Sequence, residues 1–162
     1  MIEKLDSTLA AAKVAFVAIC GSVGAFLGWR MIMLLIWVGL MVADYISGTC
    51  AARLTGTWKS EMARQGIAHK FGMVLVVAMC AIADFVMLMI SQQAYDILHM
   101  QWPMALYPIV TTWYIITEIG SNLENAIKMG AHIPAWLPKI LDATLKTVDA
   151  VGEAAAPSGE DK

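Results

Sequence analysis

FGMVLVVAMCAIADFVMLMIS, Phe71 to Ser91, carries one charged residue, Asp84, in an otherwise apolar run. At 1.5 Å per residue a helix of this length reaches about 32 Å, close to the thickness of a bilayer's hydrocarbon core. An acid at that depth costs roughly 2.5 to 3.5 kcal/mol on insertion scales, so it must face protein, water or a proton. The pattern recurs on either side, with Asp44 in the run Met31 to Ala52 and Glu118 in the run Trp102 to Leu123. The stretch predicts membrane helices built to meet one another.

Composition agrees on the solvent. Hydrophobic residues make up 59% of the 162 and charged residues 15%, against about 25% charged in soluble domains. A net charge of -2 points away from a nucleic-acid partner. Cys20, Cys50 and Cys80 lie inside apolar runs without metal spacing and read as buried free thiols. No metal site or cofactor is expected.

A further apolar run, from about Leu9 to Trp29, precedes these, separated from the second only by Arg30. The two make either a tight helical hairpin or one long bent helix. With four spans (9–29, 31–52, 71–91, 102–123) and a cytoplasmic amino terminus, ten of the eleven Lys and Arg residues fall inside, leaving Arg30 outside. Arg53, Lys59, Arg64 and Lys70 form the basic cytoplasmic connection. A three-span version, with the first run at the interface, moves only the amino terminus. No polar mature domain follows and the next run begins immediately, so the first run is not expected to be a cleaved signal. It reads as a packing helix, because Gly21, Gly24, Ala25 and Gly28 supply small pairs at four-residue spacing.

The polar residues sort onto faces. Asp44, Ser47, Gly48 and Ala51 follow i, i+3, i+4, i+7, so that face must be buried against a helix or a lumen. Asp44 is either a structural acid bonded to a neighbouring helix or a pore-lining, proton-sensing group. Asp84 shares a face with Val77, Cys80 and Ala81. Lacking a Lys or Arg deep enough to pair with it, Asp84 is expected to be protonated or to meet water. Glu118, Asn122 and Asn125 share one face of the last span, and Ser121, Glu124 and Lys128 the adjacent one. Only water or a polar partner satisfies that many groups. Pro108 should kink the outer part of this span.

After Gly130, Ile133, Leu137, Ile140, Leu141, Leu145 and Val148 form an apolar stripe with Lys139, Asp142, Lys146, Asp149 and Glu153 off it. This predicts an amphipathic helix over 131–153, on the inner membrane surface or docked beneath the bundle, with Trp136 as interfacial anchor. Residues 154–162 read as a disordered tail. His69, His99 and His132 fall in three separate connections, and no activated nucleophile accompanies the acids, so an enzyme is not expected. The fold class is all-α integral membrane: a small homo-oligomeric bundle of transmembrane helices, residues 1–130, plus that amphipathic helix.

Two segments carry a family resemblance: ADYISGTCAARLTGTWKSEMARQGIAHKFG (Ala43 to Gly72) and YIITEIGSNLENAIKMGAHIPAWLPKIL (Tyr114 to Leu141). With Asp84 between them, they resemble the phage lysis and toxin-secretion holins. The family's pattern is met by Asp44 and Gly48, by Ser60, Gly66, Ile67 and Lys70, by Asp84, then by Glu118, Ser121, Glu124, Asn125, Gly130 and Pro134. The likeness covers roughly residues 35 to 141, and the Glu124–Asn125 segment is its most specific part.

The resemblance implies a hole-former of the bacterial inner membrane, with both termini cytoplasmic by the charge count. Such proteins accumulate harmlessly, then oligomerise and open lesions through which an endolysin or a toxin leaves the cell. Its partners would be further copies of itself, membrane lipid, the released cargo and a regulatory antiholin, which an internal start at Met31 would yield. On this view Asp44, Asp84 and the Glu118/Asn122/Asn125 face are shielded against one another before triggering and water-lined afterwards. A small oligomeric ion or proton channel, and a membrane-disrupting effector of a toxin or defence system, fit the same buried acids.

Overall fold

A computed structural model describes residues 28–93 and 105–155, with Lys13, Val14, Val17, Ala18 and Gly21 as isolated helical positions before them. The chain forms two compact units, Met1–Leu35 and Ile36–Lys162. Four helices are described: α1 (Trp29–Leu54), α2 (Ser60–Gln93), α3 (Leu106–Lys128) and α4 (Trp136–Ala155). Among the described residues, α1 and α2 are the two helices long and apolar enough to cross a membrane. Polar groups such as Glu118, Ser121 and Asn122 dilute α3 below that standard.

In the first unit, α1 begins directly after Gly28, whose φ of 66° belongs to the left-handed region. That breaks a right-handed helix, so the first two runs are not one continuous helix. Most of the first expected span, Gly24 and Cys20 included, lies outside the described residues. A Cβ at Gly21 or Gly28 would meet nothing within 4 Å.

In the second unit the helix ends are cut by glycine. Gly56 (φ 69°) follows α1, with Gly56 N–H donating to Arg53 O at 3.2 Å and Thr57 N–H to Ala52 O at 2.9 Å. Gly130 (φ 94°) repeats this after α3, through Gly130 N–H to Ile127 O at 2.9 Å and Ala131 N–H to Ala126 O at 3.0 Å. Both are Schellman caps, which satisfy the last free carbonyls of a helix and turn the chain.

Several expectations change here. The basic connection is short: Arg53 closes α1, Lys59 stands just before α2, and Arg64 and Lys70 are already helical. The run Glu61 to Gln65 is made of good helix formers with an acid in the first turn, so polarity there marks the edge of an apolar run and not the end of a helix. Pro108 does not kink α3, because it lies in its first turn, where a missing N–H has no intrahelical partner to lose. Trp102 and Pro103 fall outside the described residues. Cys50 is exposed and Cys80 half-buried, so neither is the fully buried thiol expected.

The amphipathic helix forms, yet it does not dock beneath the bundle. α4 runs back antiparallel along α3: Trp113 Nε1 donates to Asp149 Oδ1 at 2.8 Å, and a Cβ on Gly152 would lie 3.7 Å from Ile109 Cγ2. Of the expected stripe, Leu137, Leu141, Leu145 and Val148 are half-buried, with Ile116, Leu123 and Ile127 of α3 offered to it. Ile133 precedes the helix, and Ile140, 53% exposed, falls off the stripe because it lies about 100° round the helix from Leu141. An apolar seam is satisfied as well by a facing helix as by a membrane surface. Ala154 and Ala155 extend the helix into what was expected to be tail; residues 156–162 lie outside the described set.

The core is small: Trp37, Met41, Ala51, Met73, Val77, Tyr107 and Ile116. Trp37 stacks on Tyr114 with ring centroids 5.7 Å apart, and Trp113 meets Tyr114 edge-on at 5.3 Å. The outer faces of α1 and α2 stay apolar and exposed, with Val42, Ile46, Phe71, Met79, Ile82 and Phe85 among them. Such faces suit lipid contact.

Candidate functional site: a polar cluster tied by one lysine

Asp44, Ser47 and Gly48 of α1 and Glu118, Asn122 and Asn125 of α3 are brought together, as the spacing of each set demands if both are to escape lipid. The residue that joins them comes from α2. Lys70 Nζ donates to both carboxylate oxygens of Glu118, at 2.8 and 2.7 Å, and lies 2.9 Å from Asp44 Oδ2. Glu118 keeps only 4% of its side-chain exposure, against 17% for Lys70 and 20% for Asp44. One ammonium therefore serves two carboxylates on two other helices.

Amides complete the shell. Asn125 Nδ2 donates to Asp44 Oδ1 at 2.9 Å and to Ser47 Oγ at 3.1 Å, and Ser47 Oγ donates to Asn122 Oδ1 at 3.3 Å. Asn122 Nδ2 reaches Leu40 O of α1 at 3.2 Å and Glu118 O of its own helix at 2.8 Å. Gly48 makes room for this: its absent Cβ would fall 3.3 Å from Asn125 Nδ2. Most buried polar groups are satisfied in this way, since an unpaired one is costly. A cavity of about 190 Å³ lined by Asp44, Gly48, Trp58, Lys59, Gly66 and Lys70 opens beside the cluster. Arg53 lies over the Trp58 ring, 5.5 Å from its centroid.

Asp84 does not join this group. It is 1% exposed, and its Oδ1 and Oδ2 accept the backbone N–H groups of Leu106 and Tyr107 at 3.2 and 2.9 Å. These belong to the first turn of α3, whose N–H groups have no partner within the helix and carry the positive end of its dipole. The positive end of a helix thus faces the acid. Ser121 and Glu124 are turned toward α4 instead, lining a cavity with Pro138, Leu141, Asp142 and Leu145.

Lys70 is the residue that the sequence placed wrongly, as one more charge of a cytoplasmic connection. Its signal was present: Lys70 precedes Val77 by seven residues and Asp84 by fourteen, so all three share one stripe of a continuous helix. Arg53, Lys59 and Arg64 remain outside the cluster and exposed. Among the described residues no group of three or more His, Cys, Asp or Glu side chains could hold a metal ion.

Comparison with known proteins is consistent with this architecture. An uncharacterized protein of Halalkalibacterium halodurans is 28% identical over 123 residues, covering 76% of this chain and 85% of the relative. Uncharacterized proteins of Listeria monocytogenes and Listeria innocua are each 29% identical, over 122 and 118 residues, covering 73% of this chain and 78% and 75% of themselves. No solved structure matches. The model of the bacteriophage holin family matches residues 21–146, which include every residue of the Lys70 cluster and Asp84; the chain belongs to the bacteriophage holin family.

Proposed function

We propose that this chain is a working holin: copies gather in a bacterial inner membrane, associate, and open lesions that let a cell-wall hydrolase or a toxin leave the cytoplasm. The chain serves as a wall for transport and not as an enzyme. Family membership supports the class of protein. The observation that carries the mechanism is the Lys70 tie, because it hides two acids, two amides and a hydroxyl within a single protomer. Groups that would be costly against acyl chains are silent there, which suits a protein that accumulates before it acts.

Asp44, Ser47, Gly48, Glu118, Asn122 and Asn125 are, on this view, residues of the helix interface. They bind α1, α2 and α3 into one unit that associates whole. Its apolar outer faces meet lipid and neighbouring copies.

Purified protein added at rising density to vesicles loaded with both a small dye and a folded reporter enzyme tests this. Release of the enzyme together with the dye, above a threshold density, is the expected result. Loss of the dye alone, with the enzyme retained at every density, would establish a small channel and overturn the lesion reading.

A further inference from the structure

If the Lys70 cluster stays closed inside each protomer, another polar surface must face the water that fills a lesion. We infer that the charged flank of α4, Lys146, Asp149 and Glu153 with Lys139 and Asp142, lines the aqueous opening between assembled copies of this chain; this rests on the lesion-forming function proposed above.

The contacts between helices set the depth of that flank. Lys70 bonded to Glu118, and Asp84 bonded to the amides of Leu106 and Tyr107, align α3 antiparallel to α2 along the apolar run that starts at Phe71. Trp113 bonded to Asp149, and Ile109 beside Gly152, align α4 antiparallel to α3 in turn. Asp149 is therefore about level with Val76 of α2 and Glu153 about level with Cys80, well inside the run that crosses the membrane.

Apart from Asp149, which accepts from Trp113 at its edge, the flank points away from α3. Lys139, Asp142, Lys146, Asp149 and Glu153 are all exposed, and they fall to one side of the Leu137–Leu141–Leu145–Val148 seam. The exposed apolar residues Trp136, Ile140 and Val151 fall to the other side. Asp149 and Glu153 lie at this depth and Lys146 near the start of the run, while Asp142 and Lys139 come level with the polar segment before Phe71. Glu153 and Lys146 cannot face acyl chains without large cost, and no described helix covers them. Water between copies satisfies them, while the Trp136–Ile140–Val151 flank stays against lipid. Association of copies then relieves a cost that a lone protomer bears.

The test uses the full chain with Cys20, Cys50 and Cys80 replaced by alanine, in inverted inner-membrane vesicles whose outer surface is the cytoplasmic face. Single cysteines at Lys146→Cys, Glu153→Cys, Ile140→Cys and Val151→Cys are reacted with a charged, membrane-impermeant maleimide, at protein densities below and above the onset of leakage. In leaking vesicles Glu153→Cys and Lys146→Cys should react about tenfold or more faster than the other two, since only a thiolate in water reacts. Below the threshold Glu153→Cys should be slow. Fast reaction of Glu153→Cys without leakage would show a helix lying on the surface and overturn the assignment; reaction as slow as Val151→Cys in leaking vesicles would overturn it too. A disulfide between Ile109→Cys and Gly152→Cys, which pins α4 to α3, should leave leakage intact; leakage only after reduction would mean that α4 must detach, again overturning it. No leakage from the parent chain at any density would bring down the lesion function and the lumen together.

Discussion

Lys70→Met removes the one positive group shared by Asp44 and Glu118. Glu118 stays buried and Asp44 half-buried: their oxygens lie within 2.9 Å of the same Nζ, and their side chains keep 4% and 20% of their exposure. Breaking a buried pair by deleting one partner costs about 3 to 5 kcal/mol, because the remaining charge is left uncompensated. The partial exposure of Lys70 and Asp44 places this case at the low end, about 3 kcal/mol, or roughly 150-fold in the folding equilibrium. The triple variant Lys70→Met/Asp44→Asn/Glu118→Gln keeps the shape without the charges and should return to within about 1 kcal/mol of the parent. Unfolding of the detergent-solubilised protein by added dodecyl sulfate, followed by the near-ultraviolet dichroism of the Trp37–Tyr114 stack, reads both. If the single variant is as stable as the parent, or the triple as unstable as the single, the cluster does not tie the helices. Lysis timing should follow stability, lost in the single variant and recovered in the triple; a lumen-lining role for these charges would leave the triple inactive.

Asp84→Ala should free the amides of Leu106 and Tyr107, which hydrogen exchange would show as protection lost by about 30-fold, equivalent to about 2 kcal/mol for a carboxylate at a helix N-terminus. Asp84→Asn should lose less, since it retains one acceptor oxygen. At Gly48, alanine gains up to about 1 kcal/mol of helix propensity and loses about as much to the 3.3 Å approach of Asn125. Gly48→Ala is therefore expected near neutral and Gly48→Leu destabilising by about 3 kcal/mol in the same dodecyl sulfate titration. Trp113→Phe deletes the exposed bond to Asp149, so exchange of the α4 amides should quicken roughly twofold, with α1 and α2 unaffected.

The faces of α1 and α3 were legible because helical spacing alone puts Asp44, Ser47 and Gly48, and Glu118, Asn122 and Asn125, in line. Their mutual contact was not, since spacing says which residues share a face but not which face they meet. Lys70 was hidden by the habit of ending a span where charge appears, although the α2 helix continues through it to Ser60. Asp84 was legible as a buried acid, yet its partner is main chain more than twenty residues on, and amides at a helix start leave no mark in residue type. The amphipathy of α4 showed a helix with one apolar seam; whether that seam meets a membrane surface or another helix is a tertiary choice, made here by α3. Gly130 marks a boundary already in the sequence, while Gly56, just past the end of α1, shows its role only in the structure.

Inducible expression with and without a co-expressed muralytic enzyme, with culture turbidity and membrane potential recorded together, tests holin activity most directly. The expected result is sudden loss of both at one defined time when the enzyme is present, and loss of potential without clearing when it is absent. Gradual depolarisation with the enzyme still held in the cytoplasm would contradict it.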